Sequence, residues 1–213
     1  MVRNYYLALS LFIIGCQVKL PVEYYLSESC LQNQDEAATI IAAAEAWDKA
    51  TCAEFFRFAG VNYDAEFNLD DLSDGIRTVY CLDKEEGDVQ KIEAEFPDGF
   101  TAYSIADIIV IREDVVRDAF IAYKRDYGFL PPFLPWSFYL KFLKALMTHE
   151  FGHQLGLSHT NIGVSVMNEA VWGEGAAYSP TIQDVYGSEE VDGVCDIYDV
   201  CPPPEQCPTR PTF

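Results

Sequence analysis

All three histidines of this 213-residue chain fall inside one stretch, MTHEFGHQLGLSHT, residues 147–160. The surrounding segment SFYLKFLKALMTHEFGHQL reads as a helix capped by Ser137. It is apolar on nearly all sides except around Lys141, Lys144 and Thr148, so most of it should be buried. On that helix His149 and His153 are four residues apart, which sets both imidazoles on one face, about one turn apart along the axis. Two rings so placed can reach one tetrahedral metal ion. Gly156 falls where the helix must stop, because glycine accepts the left-handed conformation that turns the chain sharply. That turn can return His159 as a third ligand. Three nitrogen donors leave one position open, which is the pattern of a catalytic zinc site and not of a closed structural one. Glu150, next to the first ligand, can then take a proton from a zinc-activated water and pass it to a leaving amine. Such parts imply hydrolysis of a peptide bond.

The elements that must hold this helix in place can be read upstream. VEYYL (22–26) has the β-branched and aromatic content of a strand. Residues 33–50 read as a helix, with Asn33 or Asp35 as its cap and Ile40, Ala44 and Trp47 on one face. EFFRFA (54–59), IRTVYCL (76–82), 100–104 and DIIVI (107–111) follow as strands, and the unbroken apolar run IIVI marks an interior one. Acidic loops separate them, with Asp64, Glu66, Asp70, Asp71 and Asp74 in the first. Residues 114–123 suggest a short helix; beyond Gly156 the sequence suggests little regular structure apart from a short helix at 181–186. This order describes an α/β sheet with its first helix as a crossover.

Composition narrows the setting. With 34 acidic against 14 basic residues the formal charge is −20, a field that repels nucleic acid and bare anionic membranes. The leader MVRNYYLALSLFIIGCQ carries one early arginine and then an apolar run too short to span a bilayer, as expected of a signal peptide. Its residues Ile13-Ile14-Gly15-Cys16 resemble the lipobox of bacterial lipoproteins, in which the chain is cut before the cysteine and the cysteine is lipidated. Cysteine counting agrees: seven is odd, but removing Cys16 leaves six, enough for three disulfides in an oxidising compartment. Six cysteines allow fifteen connectivities, and spacing alone does not choose among them.

The run His149-Glu150-Phe151-Gly152-His153-Gln154-Leu155-Gly156-Leu157-Ser158-His159 resembles the H-E-x-x-H-x-x-G-x-x-H signature of metzincin metalloproteases at every fixed position. Met167, eight residues after His159, stands where that clan has the methionine of a tight turn under the metal, and this spacing, with Thr160, is similar to matrixins. The resemblance implies a twisted, mixed five-stranded sheet with two long helices, the second carrying the zinc motif, and a short irregular C-terminal subdomain. It implies one catalytic zinc ion on His149, His153 and His159, Glu150 as catalytic base and acid, and an antiparallel edge strand near 100–104 that pairs with an extended substrate. In the same analogy Cys30 and Cys81 close adjacent strands, which suggests one bridge. The chain departs from animal matrixins in three respects: no histidines remain for a second zinc, no cysteine-switch motif or room for a prodomain is apparent, and NEAVWG replaces the proline-containing wall after the Met-turn. Trp172 in that stretch would either line the specificity pocket or plug the lower core.

The expected organisation is a lipoprotein signal peptide at 1–15, a tether at 16–20, a protease domain at 21–187 and an acidic, Cys- and Pro-rich tail at 188–213. Within the tail, residues 190–202 resemble a degenerate thrombospondin type 3 calcium repeat, so Ca2+ joins Zn2+ as a candidate ion. The expected partners are a protein or peptide substrate and a membrane reached through the lipid anchor, not nucleic acid. A monomer is the simplest expectation, and the location is the bacterial envelope or the extracellular space. Two rival readings are a binding lipoprotein on an inactive metzincin fold and a zinc hydrolase of a non-peptide amide.

Overall fold

The structure, a computed structural model, describes residues 19–67, 75–82, 102–105, 107–112, 116, 136–160, 165–167 and 188–208. The first strand, β1 (Val22–Ser27), alternates so that Val22, Tyr24 and Leu26 are buried. Helix α1 (Gln34–Thr51) starts at Asn33, whose side-chain oxygen accepts from the backbone N–H of Asp35 at 3.0 Å and of Glu36 at 3.4 Å. Acids in the first turn suit the positive end of the helix dipole. The helix stops at Cys52, which takes the left-handed conformation at φ 55°. Ile40, Ala43, Ala44 and Trp47 are buried along one face, and the small alanines let the helix lie close to its neighbours.

Strands β2 (Phe56–Asn62), β3 (Thr78–Leu82), β4 (Ala102–Ile105) and β5 (Ile108–Arg112) complete one sheet, in the order β2-β1-β3-β5-β4. Four strands run parallel; β4 pairs antiparallel with β5 at the edge, with Tyr103 opposite Val110 and Ser104 opposite Ile109. The apolar run of β5 is buried at every position, as an interior strand requires. Helix α2 (Trp136–Gln154) packs against α1 and shares one core with it and the sheet, through Phe142, Leu146, Met147 and Phe151. This is the mixed five-stranded metzincin arrangement that the resemblance implied.

Several boundaries differ from the sequence reading, each for a local reason. The second strand begins at Phe56 because the Asp48 carboxylate takes the N–H groups of Phe55 (2.7 Å) and Phe56 (3.1 Å), leaving Glu54 outside the ladder. Ser137 lies within α2 and is not its cap. The helix already includes Trp136, whose ring stacks on Tyr139 and donates to Asp35 Oδ2 at 3.1 Å. Thr148 is buried on α2, not exposed, because the indole of Trp47 covers its carbonyl.

A third helix, α3 (Ser188–Tyr198), went unread. Val191 and Val194 are buried in the common core, and Tyr198 stacks edge-on against Phe55 and donates to the carbonyl of Leu155 at 3.2 Å. The segment compared with a calcium repeat is therefore mostly helical, with its carbonyls directed along the helix axis and not into a ligand loop. The leader with Cys16, the acids at 70–74, the suggested helix at 181–186 and Trp172 lie outside the described residues, as does the suggested helix at 114–123 apart from Val116, which is helical and buried in the core.

Three disulfides join Cys30 to Cys81, Cys52 to Cys207, and Cys195 to Cys201. The first is the bridge the resemblance suggested. Together they fit an oxidising, exported setting. Among the described residues no helix is long and apolar enough to cross a membrane.

Candidate metal centre

The last turns of α2 assemble the site. The backbone after His153 closes as a Schellman motif: Leu157 N–H bonds the Gly152 carbonyl at 3.1 Å, and Gly156 N–H bonds the His153 carbonyl at 2.9 Å. Gly156 carries the positive φ of 84° that this turn needs. The reversal brings His159 onto the same side as the helical pair. The three Nε2 atoms then lie 3.1 Å (His149–His153), 3.1 Å (His153–His159) and 3.2 Å (His149–His159) apart.

Two of the rings are fixed from behind. His149 Nδ1 lies 2.7 Å from the Val166 carbonyl, and His153 Nδ1 lies 2.8 Å from the Leu157 carbonyl. A carbonyl can only accept, so each Nδ1 carries the proton and each Nε2 presents a lone pair to the centre. Lone pairs facing one another call for a cation between them. A tetrahedral zinc with bonds of 2.0–2.1 Å would hold its nitrogen ligands about 3.3 Å apart, close to the observed triangle. The residues therefore fit the ion. Burial, and then the neighbouring His153 and His159, hold the His149 imidazole down at about 3, against the opposing pull of the Val166 carbonyl; burial also lowers His153. Neutral rings are the form that binds metal. Among the described residues this is the one cluster of three or more potential metal ligands.

Glu150, next in sequence to His149, is buried, and burial pushes its carboxyl up to about 8. A nearby cation acts in the opposite sense, favouring the carboxylate.

Met167 is buried in a turn tied to the site through Thr160 and through the Val166 carbonyl behind His149. Its N–H donates to Ser165 Oγ at 2.9 Å, and its carbonyl accepts from Thr160 N–H at 2.9 Å. Trp47 of α1 donates its indole N–H to the Thr148 carbonyl at 2.9 Å, so the first helix braces the second one residue before His149. Sequence reasoning placed Trp47 on the packing face but missed this bond and the carbonyls behind His149 and His153. Backbone acceptors carry no residue signature, so no spacing rule could have named them.

The matrixin family model matches residues 18–193, a span that contains the sheet, both long helices, the histidine cluster and Met167. No curated protein matches the chain. With the extended histidine signature, its folded geometry and a family match over most of the sequence in agreement, the chain belongs to the matrixins, the zinc metallopeptidases of the metzincin type.

Proposed function

We propose that the protein is an exported zinc metalloendopeptidase in which His149, His153 and His159 hold one catalytic zinc ion and Glu150 serves as general base and acid. The observation that carries this reading is the convergence of the three Nε2 atoms within 3.2 Å, two of them oriented by backbone carbonyls. Bound there, zinc supplies a Lewis acid for the substrate carbonyl and lowers the pKa of water to about 7. Glu150, one residue from His149 on the same helix, takes up a proton at its carboxylate during attack and returns it to the departing amine. Met167 forms the floor of the centre, and its turn supplies the Val166 carbonyl that fixes His149.

The same reading extends to the termini. Residues 1–15 act as a signal peptide, Cys16 carries a lipid, 16–20 form a tether and 21–187 the protease domain, with 188–213 a C-terminal segment whose helix α3 packs into the same core. Support comes from the cysteines: the three disulfides use six of the seven and leave Cys16 over. Cys16→Ser should move the protein from the membrane fraction to the soluble one.

The deciding experiment compares a form starting at Gln17 with Glu150→Gln, both checked for zinc content, on a denatured protein substrate. Loss of about 10²- to 10⁴-fold in rate at equal zinc content supports the role of Glu150. A zinc-loaded parent that cuts no peptide would overturn the peptidase reading in favour of binding or a non-peptide amide.

A further inference from the structure

Gln154, the last residue of α2, follows directly on His153 and is buried. Its amide has three partners on three strands or their approaches. Nε2 donates to Ser104 Oγ of β4 at 2.7 Å and to the Ile108 carbonyl of β5 at 3.3 Å. Oε1 accepts from Arg77 Nε, just before β3, at 3.3 Å. Arg77 in turn pairs with Asp107 at 3.4 Å. Because a guanidinium can only donate, Arg77 fixes which end of the amide faces it and so aims the NH2 group at Ser104.

We infer that Gln154 is a positioning residue for the substrate: it fastens the edge strand β4 to the helix that carries the metal ligands. The inference rests on the peptidase reading. Strand β4 is only four residues long, and among the described residues β5 is its one partner strand. A short edge strand held from one side is free to slide or fray, yet such an edge is where an extended peptide would add as a further strand. A peptide paired to β4 inherits that strand's position. If β4 frays or slides, a peptide must first re-order the strand it pairs with, and its binding weakens. Beyond the packing of the helix against β4, Gln154 ties the two through one side chain, adjacent in sequence to a ligand and hydrogen-bonded to the strand.

The test uses Ser104→Ala, which removes the acceptor on β4 while leaving the contacts of Gln154 with Arg77 and Ile108 intact, together with Gln154→Leu. Amide hydrogen exchange at residues 102–105 should speed up about tenfold in both variants without a matching change in the core strand β3. For peptides long enough to run along β4, KM should rise about five- to tenfold, the loss expected for one hydrogen bond, while kcat changes by less than twofold. Inhibition by acetohydroxamate, a small metal-binding fragment that does not reach β4, should keep its parent strength. Unchanged exchange at 102–105 overturns the fastening role. Faster exchange with unchanged KM overturns the substrate role. A zinc-loaded parent that cleaves no peptide removes the substrate role together with the peptidase reading, whereas the exchange result stands apart from either.

Discussion

Met167 occupies the space that a side chain at residue 152 would need. A Cβ built on Gly152 collides with Met167 Sδ and comes within 2.8 Å of Trp47 Cζ2. The glycine inside the histidine motif is therefore a packing requirement: it lets the site helix sit directly on the methionine turn and on the α1 tryptophan. Gly152→Ala should cost about 1–3 kcal/mol by overpacking, which corresponds to a fall in Tm of roughly 2–12 °C for a chain of this size. Adding Met167→Ala should relieve part of that loss, since the two sites share one space. Thermal unfolding of the single and double variants checks this; strictly additive losses would argue against a shared space.

The metal should stabilise the fold as well as serve the reaction. Its three proposed ligands join α2 to the loop beyond Gly156, and His149 also joins the methionine turn through Val166. An ion that binds only the folded state adds about 2.7 kcal/mol at a free concentration one hundred times its Kd. Chelation should therefore lower Tm, and zinc should restore it. His153→Ala should lack most of this zinc-dependent shift. A chelator that leaves the parent's Tm untouched would contradict the proposed ligand set.

The disulfides should differ in worth. Cys52–Cys207 spans 155 residues and ties the C-terminal segment to the end of α1, whereas Cys195–Cys201 spans six. Loop-entropy estimates give about 5 kcal/mol for the long closure and about 2 kcal/mol for the short one. Cys52→Ser with Cys207→Ser should lower the urea midpoint more than Cys195→Ser with Cys201→Ser. Equal losses would mean that native contacts, and not chain entropy, set the effect.

What could be read in advance follows from the range of each interaction. The histidine spacing was legible because helical periodicity links residues four apart, and Gly156 declares where the helix must turn. The Asn33 cap and the buried run of β5 are equally local. The partnership of Gln154 with Ser104 and Arg77 joins residues 50 and 77 positions apart, and nothing in their identities announces it. Helix α3 was obscured for a different reason. Gly193, two valines and two aspartates are poor helix formers. The helix is held by tertiary burial of Val191 and Val194 one turn apart, with Asp192 and Asp196 left on the exposed side. In sequence the same acids looked like an ion-binding loop.

Asp48 offers a pH test away from the metal. Its carboxylate pins the start of β2 to the end of α1 by accepting the N–H groups of Phe55 and Phe56. Burial pushes its pKa up to about 6, helped by the nearby acids Glu54 and Glu45 and opposed by those two N–H groups. A folded-state value above the unfolded one means that the native protein holds this proton more tightly. The contribution of Asp48 is thus greatest below about pH 4 and is lost as pH rises through 6. Asp48→Asn keeps an accepting oxygen for both N–H groups but does not ionise. The difference in Tm, variant minus parent, should therefore move in favour of the asparagine between pH 4 and pH 7. Taking the difference at each pH cancels titration elsewhere, including acid release of zinc, to the extent that the sites are independent. A difference that is flat with pH, or that moves in favour of the aspartate, would show that the two N–H groups outweigh burial at this carboxylate.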